Sequence, residues 1–128
     1  MNLSLNYYFA LARSKESQYP YILRDLKYFL RSFGINDVTL TLEDEYDLSA
    51  QEASKLDTFF SSYLSDIPLD YILNVSEFMG YEFYVDPRVL IPRPETELIV
   101  DWVLDLSLNK NSTILEAGTG SGCIAISI

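Results

Sequence analysis

The tightest constraint on this chain lies at residues 113–128, an apolar run that breaks into Gly118-Thr-Gly-Ser-Gly122 and turns apolar again. Ile114 and Leu115 read as a short buried strand, Gly118, Gly120 and Gly122 as a loop, and residues 123–128 as the first turns of a helix. Glycine at alternate positions lets the chain reverse tightly, and a missing Cβ lets backbone N–H groups and a helix N-terminus approach a polar ligand. Taken alone, Gly-x-Gly-x-Gly is a weak signal, because a strand-to-helix turn that binds nothing can need the same φ angles.

Two neighbours sharpen the reading. Cys123 stands where the dinucleotide fingerprint Gly-x-Gly-x-x-Gly has its third glycine, which counts against a nicotinamide enzyme. Glu116 sits at the strand end just before the loop, placed to accept hydrogen bonds from a ligand amine or ribose. An ammonium-bearing nucleoside such as S-adenosylmethionine fits that arrangement better than a pyrophosphate.

The 128 residues suffice for one ordinary domain, or a small domain and part of a second. Hydrophobic content of 48% is enough to bury a core. No run reaches the ~18 apolar residues of a membrane span and no basic region precedes an apolar N-terminal core, so the expected location is the cytoplasm. Cys123 is the only cysteine and there is no histidine, which excludes an internal disulfide and a cysteine-based zinc cluster. We read Cys123 as a small hydrophobe on the buried side of its helix. The net charge of -10 argues against a broad nucleic-acid surface. Five of the nine bases nonetheless fall within residues 1–34.

Taken in order, residues 3–15 set Leu3, Tyr7, Tyr8, Ala10 and Leu11 along a helical stripe, with Arg13 and Lys15 in the last turn, where the dipole favours cations. A second helix is expected from a Ser17 cap with Pro20 in its first turn, burying Ile22, Leu23, Leu26, Phe29, Leu30 and Phe33 before Gly34 stops it. In residues 35–48, Val38, Leu40 and Leu42 alternate like a strand but also suit a short helix and an irregular turn. Glu43, Asp44, Glu45 and Asp47 read as a solvated acidic face. Ser49 and Glu52 have capping-box spacing and open a helix whose Ala53, Leu56, Phe59, Phe60, Tyr63 and Leu64 share one face. Pro68 begins a further short helix. Such helices close as a small antiparallel bundle over residues 1–74.

The period changes after Asn74. Residues 75–78 and 81–85 read as strands of a hairpin around Met79-Gly80, closed by Asp86-Pro87, a linker over residues 75–86. Pro94 then starts a helix to about residue 108 that buries Leu98, Ile99, Trp102, Val103 and Leu106. The expected class is α+β: a helical bundle, a hairpin, and the start of a Rossmann-like α/β domain over residues 87–128.

Within this order of parts stand Pro68-Leu-Asp-Tyr-Ile-Leu73, Glu77-Phe78, Tyr84-Val85, Leu90-Ile-Pro-Arg-Pro-Glu-Thr-Glu97 and the glycine loop. Together they resemble the N-terminal portion of the HemK/PrmC family, methyltransferases of the glutamine in the Gly-Gly-Gln loop of peptide chain release factors. It covers roughly residues 66–126, while the first 65 match in layout only. It implies S-adenosylmethionine as cofactor, lying along Gly118, Thr119, Gly120, Ser121 and Gly122, with Glu116 where the family usually has aspartate. For Arg93, Glu95 and Thr96 it implies a wall of the cofactor or substrate cleft, beside the alternative that acids in a first turn merely complement a helix dipole.

The resemblance also implies release factors as partners, with Arg13, Arg24, Lys27 and Arg31 either meeting an acidic patch or simply solvating their helices. The family's Asn-Pro-Pro-Tyr motif, which holds the glutamine amide, does not occur here, so no catalytic residue is assigned. One strand and a few helical residues cannot make a parallel sheet, and the 128 residues alone are expected to be inactive. An end inside an apolar helix is expected of a truncated chain, a disrupted reading frame or an excerpt, and composition does not choose among them. Two other readings stay open: a helical module that docks a release factor without catalysis, and a methyltransferase acting on another amide or amine.

Overall fold

A computed structural model describes residues 4–36 and 46–128. Its contacts divide the chain into two compact units, Met1–Leu73 and Asn74–Ile128. Among the described residues the class is α+β, with helices and one two-stranded antiparallel sheet.

The first unit contains α1 (Leu5–Lys15), α2 (Ile22–Arg31), α3 (Ala50–Tyr63) and α4 (Leu69–Leu73). These helices share one core built on Leu5, Tyr8, Ile22, Leu26, Leu56 and Phe59, with Leu64, Leu69 and Ile72 packed at its edge. The inward stripe of α1 differs from the sequence expectation: Leu5, Tyr8 and Ala12 are buried, while Tyr7 and Ala10 are exposed. Tyr8 wins over Tyr7 because its hydroxyl finds partners inside, Asp57 Oδ1 at 2.8 Å and Ala53 O at 3.2 Å. Burial and that carboxylate together push the Tyr8 phenol up to about 12.

The α2 helix starts later than the Ser17 cap implied. Successive turns carry the chain past Pro20, and Tyr21 is the residue that precedes the helix. Of the residues expected inside, Ile22, Leu26, Phe29 and Leu30 are buried, while Leu23 and Phe33 are half-buried against the core. Gly34, at φ 93°, ends the run, and Ile35 N–H reaches back to Leu30 O at 3.1 Å. The alternation of Val38, Leu40 and Leu42, the acids Glu43, Asp44 and Glu45, and Leu3 lie outside the described residues. Asp47 is exposed.

Ser49 and Glu52 form the expected reciprocal cap of α3. Glu52 N–H donates to Ser49 Oγ at 3.3 Å and Ser49 N–H to Glu52 Oε2 at 2.8 Å. Tyr46 OH adds a bond to Glu52 Oε1 at 3.0 Å. Behind α3, the partly buried Tyr63 donates to Asp25 Oδ2 at 2.6 Å, tying α2 to α3 through a carboxylate that is 8% exposed.

In the second unit, β1 (Val75–Phe78) pairs antiparallel with β2 (Tyr81–Tyr84), Val75 facing Tyr84 and Phe78 facing Tyr81. Both turn residues, Met79 and Gly80, have positive φ, as a two-residue hairpin turn requires. Pro94–Thr96 forms one 3₁₀ turn that runs into α5 (Glu97–Asp105). The expected inward face of this helix is corrected: Leu98, Ile99, Trp102 and Leu106 are exposed, Val103 is half-buried, and Val100 alone is buried. Val100 packs with Phe78, Phe83 and Cys123 in a core of four buried side chains, which draws that edge of the helix inward.

The expected strand at Ile114 and Leu115 is also corrected. Neither residue is in a strand, and they are 51% and 94% exposed. A parallel strand needs neighbours on both sides, and among the described residues the only sheet is the hairpin.

The reciprocal cap gives a stability prediction. Ser49→Ala is expected to cost about 1 kcal/mol, read as a lower midpoint in chemical denaturation. The bonds from Ser49 hold the Glu52 carboxyl below its usual range. Its contribution is therefore full above the unfolded value and lost as pH falls through the folded one, so the variant should lose less stability on acidification than the parent.

Candidate functional site

The glycine loop leaves the exposed stretch at residues 112–115 and enters α6 (Cys123–Ser127). Cys123 is buried among Phe78, Phe83 and Val100, which seats the start of α6 in the same core as the hairpin and α5. The reading of Cys123 as a small hydrophobe therefore holds. Gly118, Gly120 and Gly122 all have positive φ, at 74°, 58° and 82°. Space is not the constraint at Gly118, where a Cβ would meet nothing within 4 Å; the left-handed backbone is. At Gly122 both act, since a Cβ would come 3.2 Å from Ile126 Cδ1.

One hydrogen bond closes the loop, from Gly122 N–H to Thr119 O at 2.9 Å. It leaves the N–H groups of Gly118, Thr119, Gly120 and Ser121 without a backbone acceptor among the described residues. Two side-chain oxygens flanking the loop are in the same condition but shielded from solvent. Glu116 Oε2 and Ser121 Oγ are buried atoms with no hydrogen-bond partner. Leaving such a group unmet costs ~1–3 kcal/mol, so the pair fits a polar ligand that donates to a carboxylate.

Beside the loop lies an open cleft of about 720 Å³, within the size range of small-molecule sites. It is walled by Gly120, Ser121 and Ile126 on one side and by β2 and the segment after it, with Tyr84, Asp86 and Arg88, on the other. Arg88 Nε lies 3.0 Å from both oxygens of Asp86. This pairing holds the Asp86 carboxyl well below the usual carboxylate range and raises the Arg88 guanidinium. With that pair neutral in sum, Glu82 leaves the lining net negative, which favours a cationic group over a phosphate.

Of the residues singled out from the sequence, Gly120 and Ser121 border this cleft. Glu116, Gly118, Thr119 and Gly122 sit in or beside the same loop without lining it. Arg93 and Glu95 are exposed and Thr96 is half-buried, at the 3₁₀ turn and away from the cleft lining. The next residue of that string, Glu97, does a different job: its Oε1 accepts from Met79 N–H at 2.7 Å and fixes the hairpin turn to α5. The part of Tyr84, Asp86 and Arg88 was missed. Its signal was Asp86-Pro-Arg, where a turn residue and a guanidinium two positions apart close an ion pair.

In this α+β chain the glycine loop thus carries two buried, unpartnered oxygens, and Gly120 and Ser121 border a cleft whose lining is net negative. No protein family model matches the chain. Among curated proteins it is similar to the release factor glutamine methyltransferase of Flavobacterium psychrophilum, 42% identical over 95 residues, 71% of this chain and 33% of that protein. It is similar also to those of Chlorobaculum tepidum, 39% over 101 residues (74% and 34%), and Clostridium acetobutylicum, 32% over 116 residues (89% and 41%). The chain belongs to this family, HemK/PrmC. It spans about a third of the length of the first two relatives.

The left-handed backbone at Gly122 can be checked directly. Gly122→Ala should destabilise the second unit by about 1 kcal/mol, seen as faster amide exchange in α6, since Ala resists positive φ and its Cβ must displace Ile126.

Proposed function

We propose that the chain is the N-terminal portion of an S-adenosylmethionine-dependent protein methyltransferase. In this reading residues 1–74 are the substrate-recognition domain, 75–86 the hairpin linker, and 87–128 the start of a Rossmann-like catalytic domain in a cytoplasmic enzyme. The substrate is the side-chain amide of glutamine in the Gly-Gly-Gln loop of peptide chain release factors. The names of the relatives support the reaction class and substrate. The observation that carries the cofactor is the shielded, unpartnered pair Glu116 Oε2 and Ser121 Oγ at the glycine loop.

S-adenosylmethionine supplies an electrophilic methyl group on a sulfonium. For their part, Glu116 would accept hydrogen bonds from its ammonium or ribose, and the N–H groups of residues 118–121, which meet no backbone acceptor among the described residues, would take its acceptor atoms. Ser121 Oγ donates or accepts at the cleft edge. Arg93, Glu95 and Thr96 do not line this cleft and are given no part in holding the cofactor. A primary amide nitrogen has a delocalised lone pair and reacts only when held in line, with its developing charge stabilised. The 128 residues contain no Asn-Pro-Pro-Tyr to hold the amide, so they bind cofactor without turning it over.

Titration calorimetry with S-adenosylmethionine should detect binding, weakened at least about tenfold by Glu116→Ala, the loss expected for a charge-assisted hydrogen bond. Absence of heat at millimolar cofactor would reject the cofactor reading. Incubation with methyl-labelled cofactor and a release factor should yield no methylglutamine, and turnover above background would reject the inactivity.

A second reading, a helical module that docks a release factor without needing cofactor, is favoured by the self-contained core of the first unit. Capture of a release factor by the chain with equal strength in the presence and absence of cofactor would support it.

A further inference from the structure

In the first unit, α2 with the turn after it, α3 and α4 leave a groove of about 340 Å³ where they meet. That volume lies at the lower end of small-molecule sites. Phe29, Phe33 and Phe59 wall the groove with aromatic carbon, and Ile72 and Leu73 close it from α4. The rings are held by one another before any ligand arrives, Phe29 lying 5.4 Å from Phe33 and 4.7 Å from Phe59 between centroids. Phe29 and Phe59 belong to the buried core, so the walls cannot fold away without disturbing it.

The rim of the groove is polar and its charge has one sign. Among the described residues that line it, Lys55 alone is ionisable, in a chain whose net charge is -10. Its ammonium lies 5.1 Å from the centre of the Phe33 ring, which keeps the cation beside the aromatic wall. Glu52, one turn earlier, is an acid whose charge Lys55 meets, but that carboxylate already accepts from Ser49 N–H, Ser49 Oγ and Tyr46 OH. Ser32 Oγ and Thr58 Oγ1 donate to the carbonyls of Phe29 and Ser54, so their protons are spent locally. Lys55 is therefore the charged donor that the rim offers to a ligand.

We propose that this groove is a binding site for a small aromatic carboxylate, whose ring packs against Phe29, Phe33 and Phe59 while its charge pairs with Lys55. One cation matches one negative charge. A phosphorylated nucleotide would bring two or more into a lining that holds a single base. The groove belongs wholly to the first unit, and its ligand owes nothing to a cofactor at the glycine loop.

The test titrates naphthoate into the whole isotope-labelled 128-residue chain and follows amide shifts by NMR. Saturable shifts at Ser32, Phe33, Lys55 and Thr58, with a Kd of about 1 mM or tighter, are expected. Neutral naphthamide should bind about threefold more weakly, the share an exposed ion pair supplies. Lys55→Met, which keeps an apolar stem, should bring acid and amide to equal affinity. Thr58→Trp, which sets an indole at the groove mouth from an exposed position on α3, should abolish the shifts. The amide spectrum of each variant reports its fold, and the acid-to-amide comparison in Lys55→Met keeps the test valid if Thr58→Trp unfolds.

No saturable shift at about 5 mM naphthoate would overturn the groove as a site. So would shifts confined to the exposed Leu98 and Trp102 of the second unit, or undiminished shifts in folded Thr58→Trp. Equal binding of acid and amide by the parent, or a preference that survives Lys55→Met, would overturn the carboxylate assignment. Each of these results leaves the methyltransferase reading standing, because cofactor binding is read at the glycine loop of the other unit.

Discussion

Four buried side chains, Phe78, Phe83, Val100 and Cys123, hold the second unit together. Each comes from a different piece: two from the strands of the hairpin, one from α5 and one from the helix that follows the glycine loop. A five-residue helix such as α6 does not persist in water alone, so its position is that of Cys123. The loop is thereby set against β2, and the cleft that Gly120 and Ser121 share with Tyr84, Asp86 and Arg88 exists because of this small core. The bond from Met79 N–H to Glu97 Oε1 holds the hairpin to α5 at the other end.

The helical unit solves its problem differently. Its core is large enough to bury polar tips as well as apolar rings, provided each tip is met. Tyr8 is met by Asp57, Tyr19 by the Leu64 carbonyl and Tyr63 by Asp25. These bonds join residues 38 to 49 positions apart, so they specify which helices meet as well as stabilising the meeting. Rings stack along the same seam, with Phe59 4.7 Å from Phe29 and 5.2 Å from Tyr63 between centroids.

Local chemistry was the legible part. Ser49 with Glu52, Gly34 after α2, the Met79-Gly80 turn and the left-handed glycines each depend on residues a few positions apart, and the structure has them as read. Faces were legible where the helix is strongly two-sided, as in α2 and α3. They were not in α5, where Leu98, Ile99, Val100, Trp102, Val103 and Leu104 surround most of the helix and periodicity cannot choose among them. The sites differ likewise: the glycine loop is announced by its composition, but its opposite wall comes from residues some thirty positions earlier.

The sequence by itself determined where backbone must turn, which termini are capped and which loop can approach a ligand, because those depend on covalent geometry and hydrogen bonds within one or two turns. It also carried the family, through strings long enough to be specific. Only the tertiary structure decided that Val100 rather than Trp102 is buried, that Tyr8 rather than Tyr7 turns inward, and that Asp86 and Arg88 share a cleft with Ser121. Those choices rest on what each side chain meets across the chain, and burial is a property of the meeting, not of either residue.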